Sequence, residues 1–543
     1  MKMRGLLWAL LLLPAAARGQ EGWIVDEENP VSPSVAVEGS GSGGDPGAGG
    51  MADEGWISDP ELEPLVLAAP SVDEAWTLLP RLTLEGWAGF DTAWDGRDEA
   101  WHRRGLFGEA RMDGRRGAAS SLRLSARWRL EETVREEVFP SALWDGSAPG
   151  TLSEQRAELD EAWWSFAVGE AGRLTVGQQS LRWGSSDVLQ PGDVIAPKDY
   201  RDGFLAVGGR ARMAVPAVRY QWAVADWETD LVWVPFFVPN RLDFFGSDAS
   251  ALVGAPADYL PPLLAGAGSW LLQPSTRALL QPVLLQTELP EATFANGSVG
   301  GRVVGHGEGW DGGIGLFAGW DRMPLIEAAP AVRSLIAGAV EAQGRGELFE
   351  ASPAQSAALT AALLGGDPLW SSRYARRLTA VADAAVVAGP AVVRFETAVS
   401  PERTLLLTDG RGVRRPVVFS TLGVSAEPLG GEVQITVEGF WQRAFMERGE
   451  EPLLTGADHA GVAGGMGHDP SVSGAGGFGG RLAGMWVASA GDLLLSPAVT
   501  YASGAFTWTL SATQTLASDD AALTVGDVVG SDDEVLLTVR AVY

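Results

Sequence analysis

The chain of 543 residues contains no cysteine, and this absence excludes several classes of protein. Without a thiol there is no disulfide scaffold, no thiolate metal site, no cysteine nucleophile and no lipid-modified cysteine anchor. Only four histidines and two lysines are present, and 69 acidic residues outnumber 40 basic ones. The net charge of −29 argues against a nucleic-acid partner, because polyanions bind to basic surfaces.

Long hydrophobic runs are also missing. Beyond the N-terminus, no run of roughly 18 uncharged apolar residues occurs, so the sequence predicts no membrane-spanning helix. The N-terminus itself has basic Lys2 and Arg4, a short apolar stretch and small residues around Ala17, which predicts an export signal over residues 1–19. With 46% hydrophobic and 20% charged residues, the rest of the chain is unlike a disordered protein.

Residues 20–79 are rich in glycine, serine, proline and acidic side chains, which predicts a disordered periplasmic segment. The segment contains the sequence Glu-Gly-Trp-Ile twice, so that Trp23 and Ile24 are repeated as Trp56 and Ile57. Either the repeat docks as a linear motif into a periplasmic partner or the protein's own lumen, or it is a chance duplication.

Over residues 80–543 the dominant pattern is alternation of apolar and polar side chains with a period of two. In 506–515, for example, Phe506, Trp508 and Leu510 share one face, and threonines and serine occupy the other. In an exported chain, long strands with one apolar face predict an all-β, antiparallel up-and-down transmembrane barrel in the outer membrane of a Gram-negative bacterium. Closure of the barrel removes exposed strand edges.

The alternation predicts the number of strands to within two. Seventeen segments stand out, near residues 81–94, 105–114, 118–131, 159–169, 173–183, 204–225, 230–238, 292–305, 313–321, 378–388, 391–399, 416–426, 432–446, 479–488, 493–502, 506–516 and 534–543. Single-chain bacterial barrels have an even number of strands, so we expect 16, or 18 with a weak strand near 522–529. Either number encloses an aqueous lumen.

Long insertions separate some of these strands, and we expect them on the outer face or folded into the lumen. They cover residues 132–158, 239–291, 322–377 and 447–478. The third insertion has helical spacing at Val332, Leu335 and Ile336, which predicts a helix that either constricts the lumen or packs on the rim.

The last segment alternates up to Tyr543 and resembles the C-terminal assembly signal of outer-membrane barrels. The resemblance implies recognition by the barrel-assembly machinery through this strand. Membrane lipid and lipopolysaccharide are the other expected partners. The sequence indicates no cofactor and leaves the oligomeric state open.

The polar faces of the strands predict the chemistry of the lumen. Arg123, Arg127 and Arg129 form a ladder on one predicted strand. The other candidate selectivity residues are Arg210, Arg212, Glu85, Asp91, Glu109, Glu161, Glu432 and Glu438. Opposed rows of guanidinium and carboxylate groups would create a transverse field that orients polar solutes. Alternatively, the charges pair and solvate a wide lumen.

The most distinctive motif lies within residues 173–204, in and after the fifth predicted strand. It consists of Gly177, Gln179, Trp183, Gly184, Asp187, Pro191, Asp193, Pro197 and Asp199. With the later segment 235–241, it resembles a poorly characterised family of porin-like outer-membrane barrels, which is distantly similar to alginate-export porins. The resemblance implies a barrel fold and passage of a solute. The spaced aspartates either cap turns or bind Ca²⁺ at the outer rim.

These patterns predict an outer-membrane channel for a polar or charged solute. A non-conducting barrel that acts as a scaffold or adhesin through its N-terminal tail is the alternative. A hydrolase is disfavoured, because no Gly-x-Ser-x-Gly or His-Glu-x-x-His motif accompanies the four histidines. The sequence therefore predicts a protein that is not an enzyme.

Overall fold

The computed structural model describes residues 75–91, 103–135, 150–200, 211–241, 285–345, 351–428, 433–452, 457–468, 477–489, 491–516 and 534–543. Its elements are predominantly strands. In chain order they are β1 (Thr77–Asp91), β2 (Arg103–Arg116), β3 (Ser120–Arg135), β4 (Gly150–Val168), β5 (Gly172–Gln179), β6 (Val215–Val224), β7 (Trp227–Val234), β8 (Leu285–Glu288), β9 (Ser298–Gly307), β10 (Trp310–Trp320), β11 (Leu325–Ala328), β12 (Trp370–Arg373), β13 (Arg376–Ala388), β14 (Ala391–Leu406), β15 (Gly412–Ala426), β16 (Gln434–Ala444), β17 (Asp458–His468), β18 (Gly477–Val487), β19 (Asp492–Ser503), β20 (Phe506–Leu516) and β21 (Glu534–Val542).

Eighteen of these strands form one closed antiparallel barrel, which confirms the predicted fold class. Each barrel strand pairs with its neighbours in the chain, and β1 pairs with β21 to close the sheet. At the closure, Leu82 and Tyr543 exchange two backbone hydrogen bonds of 2.9 Å. The remaining strands, β8, β11 and β12, form a separate three-stranded sheet.

The outer surface of the barrel is apolar, as the alternation predicts. On β3, Leu124 is 46% exposed on the outside, whereas the next residue, Ser125, is 2% exposed on the inside. Tryptophans occupy both ends of single strands, with Trp227 and Trp233 on β7 and Trp310 and Trp320 on β10. An apolar band between aromatic girdles, with every strand paired, is the form in which a β-sheet crosses a bilayer.

The barrel has 18 strands, one of the two predicted numbers, 16 and 18, but the predicted position of the eighteenth strand is wrong. The strand missing from the prediction is β17, which lies inside the insertion predicted at 447–478. Because β17 is rich in glycine and alanine, only Val462 and Met466 give it an outward apolar face, and its alternation is weak. Residues 522–529 lie outside the described residues, and β20 pairs directly with β21.

The connections differ in length between the two ends of the barrel. One end has tight turns, such as those at 117–119, 169–171 and 225–226. The other end has the longer connections, including 180–214, 235–297 and 321–375. The predicted insertion at 132–158 is shorter than expected, because β4 already begins at Gly150.

The connection between β10 and β13 contains the predicted helix. Helices α1 (Pro330–Gly344) and α2 (Pro353–Gly365) pack together around Val332, Ile336 and Leu359. A Cβ at Gly410, in the β14–β15 connection, would lie 2.7 Å from Ile336, so the pair packs on the outer rim. None of the described helices is both long and apolar enough to cross a bilayer.

The predicted N-terminal segments lie outside the described residues, which begin at 75. The signal peptide at 1–19 and the Glu-Gly-Trp-Ile repeat in 20–79 therefore stay predictions. The barrel begins at Thr77, three residues before the predicted boundary at 80.

Candidate functional site

The chain between β5 and β6 turns into the barrel instead of staying on the rim. This part, residues 180–200, is called the inward segment. Trp183 anchors it, since its side chain is 1% exposed, its ring lies edge-on to Phe317 at 6.4 Å and its Nε1 donates to Asp230 Oδ2 at 2.9 Å. A Cβ at Gly300 would lie 2.7 Å from the Trp183 ring, so the wall has to be glycine where the indole packs.

This segment corrects two predictions. The predicted strands 173–183 and 204–225 are shorter in the structure, as β5 ends at Gln179 and β6 begins at Val215. The element that fills part of the barrel interior is the inward segment, not the predicted helix. Its apolar residues form a core with the inner faces of β6, β7, β10, β13 and β14, and that core includes Val194 and Ile195.

The inward segment is fastened to the far wall by Glu396 of β14. The Glu396 carboxylate accepts backbone N–H groups from Ser185 and Ser186, both at 2.8 Å, and from Gly192. Gly184 adopts φ +105°, and a Cβ there would lie 2.4 Å from Glu396 Oε2. Glycine is therefore required both by the backbone conformation and by the close approach of the carboxylate.

Glu438 of β16 provides a second carboxylate for the same purpose. It accepts the backbone N–H of Leu189 at 2.7 Å and that of Val188 at 3.3 Å. Asp187 of the segment reaches back to the wall and accepts from Arg394 Nη1 at 3.0 Å and from Ser425 Oγ at 2.5 Å. We call the interior face formed by β14, β15 and β16 the latch wall.

Hydrogen bonds, not ion pairs, compensate the burial of the two latch carboxylates. Glu396 and Glu438 are each 1% exposed, and together they accept five backbone N–H groups. A buried carboxylate is costly unless its oxygens are satisfied, and hydrogen bonds to a charged group contribute about 1.5–3 kcal/mol each. The latch therefore holds the segment strongly only while both glutamates are present.

The predicted arginine ladder lies on the opposite side of the barrel, on the interior face of β2, β3 and β4. This ladder wall is opposite the latch wall, because β3 and β15 are nine strands apart in either direction. Arg123 lies 2.8 Å from Asp113 and 2.9 Å from Glu161. Arg127 lies 3.1 Å from both Glu109 and Asp160, and Arg129 lies 2.9 Å from Glu131.

The ladder wall remains accessible to solvent. The side chains of Arg127 and Glu109 keep 21% and 17% of their area exposed. The carboxylates that pair with the ladder arginines lie on the ladder wall itself. Glu438, on the facing latch wall, instead accepts hydrogen bonds from the inward segment. The arginine row therefore faces the lumen with its charges balanced locally. Its role in selecting solutes stays a prediction.

The other predicted lumen residues have varied positions. Glu85 is buried on β1 at 4% exposure, and Asp91 ends β1 opposite Glu534. Arg212 lies 3.2 Å from Asp193 of the inward segment. Arg210 and Glu432 lie outside the described residues.

The motif that carried the family resemblance forms the start and body of the inward segment. Gly177 adopts φ +131°, where a Cβ would lie 2.2 Å from the carbonyl oxygen of Ala162. Gln179 is buried and donates from Nε2 to the Ala217 carbonyl at 2.9 Å. Trp183, Gly184, Asp187, Pro191, Asp193, Pro197 and Asp199 follow within the segment. The motif thus specifies the element that enters the lumen.

The aspartates of the motif meet basic side chains. Asp187 pairs with Arg394, and Asp199 lies 3.3 Å from Arg241. Burial raises the pKa of Asp193, but the nearby positive charges of Arg212 and Lys198 outweigh this effect and hold the pKa below its usual value. Within the described ranges, no three potential ligands converge on a metal position.

One contact between a histidine and a hydroxyl group bears on the hydrolase alternative. His459 Nδ1 lies 3.0 Å from Ser489 Oγ at the outer end of β17. The imidazole packs against the ring of Phe440 at 5.4 Å, and no carboxylate orients it in the part of the chain that the structure describes. A serine nucleophile needs an oriented base, so this pair lacks one of the groups that hydrolysis requires.

Glu438 was predicted as a lumen residue, but its latch partners Arg394 and Glu396 were missed by the sequence analysis, although a signal for them existed. Arg394 and Glu396 are charged positions two apart on a strand that was predicted correctly, so the period of two places both on the inside. What the strand pattern could not provide is the partner, since the inward segment lies about 200 residues away.

Neither a protein-family model nor a curated protein matches the chain. Solved structures with similar folds include OccAB4 of Acinetobacter baumannii, with 7% identity, a TM-score of 0.42 and coverage of 87% of this chain and 99% of that one. OpdK of Pseudomonas aeruginosa with vanillate has 9% identity, a TM-score of 0.40 and coverage of 86% and 98%. OmpF of Salmonella typhi with daunomycin has 9% identity, a TM-score of 0.36 and coverage of 86% and 97%. At these values the likeness carries no argument about function, and the alginate-export resemblance stays a prediction.

Proposed function

We propose that the protein is an outer-membrane channel that passes a polar or charged solute along the ladder wall. The observation that carries this proposal is the partly exposed row of charges on the interior of a closed barrel. Charged side chains at 17% and 21% exposure inside an apolar shell need water around them. A lumen that contains water on this side is a route for solutes.

The inward segment would set the width of that route. It covers the latch wall and fills the neighbouring part of the interior, so a solute passes between the segment and the ladder. Guanidinium and carboxylate groups alternate along the ladder wall and offer hydrogen bonds to both ends of a polar solute. An apolar solute would displace water from these charged groups without replacing its hydrogen bonds. The proposal includes no enzymatic activity.

Localisation and partners belong to the same proposal. The apolar belt would contact lipid and lipopolysaccharide of a Gram-negative outer membrane, and β21 with Tyr543 would be the strand read by the assembly machinery. The repeated motif of Trp23, Ile24, Trp56 and Ile57 would engage a periplasmic partner. A scaffold or adhesin that uses this tail is the rival function.

Reversal potentials of the purified protein in a planar bilayer under a salt gradient test the proposal. The variant that combines Arg123→Gln, Arg127→Gln and Arg129→Gln leaves the paired acids uncompensated. We therefore expect discrete conductance steps in both proteins and a shift toward cation selectivity in the variant. Because Arg345 is 53% exposed and pairs with Glu341 on the rim helix α1, Arg345→Gln is the matched control and should leave selectivity unchanged.

Two outcomes would contradict the channel. Silence of the folded protein at all voltages would favour a scaffold, and unchanged selectivity in the triple variant would remove the ladder wall from the route. Deletion of residues 20–74, which leaves β1 complete, separates the rival functions, since a channel keeps its conductance and a scaffold that acts through the tail loses its partner.

A further inference from the structure

A second charged feature lies away from the ladder wall. The end of the inward segment, the residues after β10 and the outer parts of β13 and β14 enclose a recess. Its basic lining residues are Lys198, Arg322, Arg377 and Arg403, and its acidic ones are Asp193 and Asp321. In a chain with a net charge of −29, a pocket with twice as many cations as anions calls for a physical explanation.

The two carboxylates of the recess already have basic partners. Asp321 accepts from Arg377 Nη1 at 3.3 Å and from the Thr404 hydroxyl at 3.0 Å. Asp193 lies 3.3 Å from Lys198 and 3.2 Å from Arg212, a further cation. Asp321 also attracts Arg322 and Arg403, so a single carboxylate has to balance three arginines.

Arg322 and Arg403 form no ion pair with any described carboxylate. Arg322 donates to the carbonyl oxygens of Val238 and Ile195, and Arg403 donates to Gln442 Oε1 at 3.3 Å. Burial and the nearby charge of Arg377 lower the pKa of Arg322 to about 10, against the opposing effect of Asp321. One carboxylate beside three guanidinium groups leaves a local surplus of positive charge, and burial makes this surplus costly, so it favours a bound counter-ion.

The recess is also accessible to a ligand. The side chains of Lys198 and Arg377 retain 19% and 12% of their area exposed, whereas Asp193 is fully buried beside them. A ligand that enters the recess therefore meets Lys198 and Arg377 first, whereas the acids lie at its base. A guanidinium group retains donors after one hydrogen bond, and a lysine ammonium has three.

We propose that this recess binds one oxyanion group, a carboxylate or a tetrahedral oxyanion, between Lys198, Arg377 and Arg403. Guanidinium groups bind such groups with paired hydrogen bonds, and the ammonium adds a point charge. The inference rests on the proposed channel only for the route by which the anion arrives. The ligand of this recess, on the outer side of the inward segment, would therefore carry an anionic group.

Equilibrium binding to the full chain in detergent, measured by calorimetry with sodium selenate and with sodium acetate, tests the inference. We expect both oxyanions, or one of them, to bind, and the tighter one identifies the tetrahedral or the carboxylate class. Arg403→Gln should weaken binding by about tenfold or more, the scale of one charge-assisted hydrogen bond. Lys198→Gln changes a more exposed position and should weaken binding less. It provides a second test of the site if Arg403→Gln fails to fold.

A second experiment locates the bound anion. Crystals soaked in selenate should give an anomalous peak beside Arg377 and Arg403. Arg411→Gln, which removes a rim cation paired with Asp409, is the control and should bind as the unchanged protein does. Binding that Arg403→Gln and Lys198→Gln both leave intact, or a peak only elsewhere, would overturn the inference. A protein that conducts but binds neither anion overturns this site alone, and one that binds but never conducts overturns the channel alone.

Discussion

The ladder wall and the latch wall carry the same kinds of charged side chain inside one barrel, yet they use them differently. On the ladder wall, Arg127 and Glu109 pair with each other across adjacent strands and stay partly exposed. On the latch wall, Glu396 and Glu438 bind backbone N–H groups of the inward segment and are buried. Side-chain position in the barrel therefore does not determine function. The partner determines whether a lumen charge faces a solute or holds a segment in place.

Removal of both latch carboxylates should have the largest effect on this difference. In the variant Glu396→Ala with Glu438→Ala, five backbone N–H groups of the inward segment lose their acceptors. Each lost bond to a charged group is worth about 1.5–3 kcal/mol, so the segment should leave the latch wall. We expect a severalfold larger and noisier single-channel conductance, measured in planar bilayers.

The matched control is Glu109→Ala with Asp113→Ala on the ladder wall. It also removes two lumen carboxylates, but both of these accept from arginine side chains and not from the backbone of the inward segment. Selectivity should therefore change while the conductance stays close to that of the unchanged protein. Equal rises in conductance for the two double variants would mean that the latch does not hold the segment.

A smaller effect is expected from a methyl group at the closest approach of the segment to the latch. Gly184→Ala places a Cβ 2.4 Å from Glu396 Oε2 at a residue with φ +105°, a conformation that costs a non-glycine residue roughly 1–3 kcal/mol. We expect a lower unfolding temperature together with a changed conductance. Gly169→Ala is the control, because φ is +69° there and nothing lies within 4 Å of the added Cβ.

Gly169→Ala should lower the unfolding temperature through backbone strain alone and leave the conductance as it is. If Gly184→Ala behaved in the same way, the contact with Glu396 would have no influence on the position of the segment.

Much of the barrel could be predicted from the sequence, because each strand carries its own signal. The apolar face of a strand must meet lipid, so alternation at residues such as Phe506, Trp508 and Leu510 gives both the strand and its outward side. The same alternation puts the ladder arginines on the interior face of β3, while their part in selectivity stays a prediction. The predicted helix at Val332 is also confirmed, since its spacing is local.

The remainder could not be predicted, because it depends on long-range contacts or on residues with weak patterns. Strand β17 has little hydrophobic contrast, and its place is fixed by pairing with β16 and β18 on either side. The bonds from Ser185 and Ser186 to Glu396 join positions about 200 residues apart, and no local period records them. The recess at Arg322 and Arg403 likewise forms only when separate connections meet.

A single charge change on the ladder wall should have a moderate effect on selectivity. Glu161→Gln removes one carboxylate from Arg123, which keeps Asp113 at 2.8 Å, so the wall gains one positive charge without losing its geometry. We expect a shift of the reversal potential toward anion selectivity, opposite in sign to that of the triple arginine variant. A shift toward cations would show that Glu161 does not face the conducting water.

The smallest effect should come from removing both members of that pair. Arg123→Gln with Glu161→Gln leaves the net charge of the ladder wall unchanged and replaces an ion pair by two amides of similar size. A field that depends on the summed charge of the wall should then be nearly restored, so the reversal potential should return close to that of the unchanged protein. If the double variant instead kept the full shift of one single variant, one of the two residues would act on the solute by direct contact. The ladder wall would then resemble the latch wall, where specific partners, not the balance of charge, determine what each side chain does.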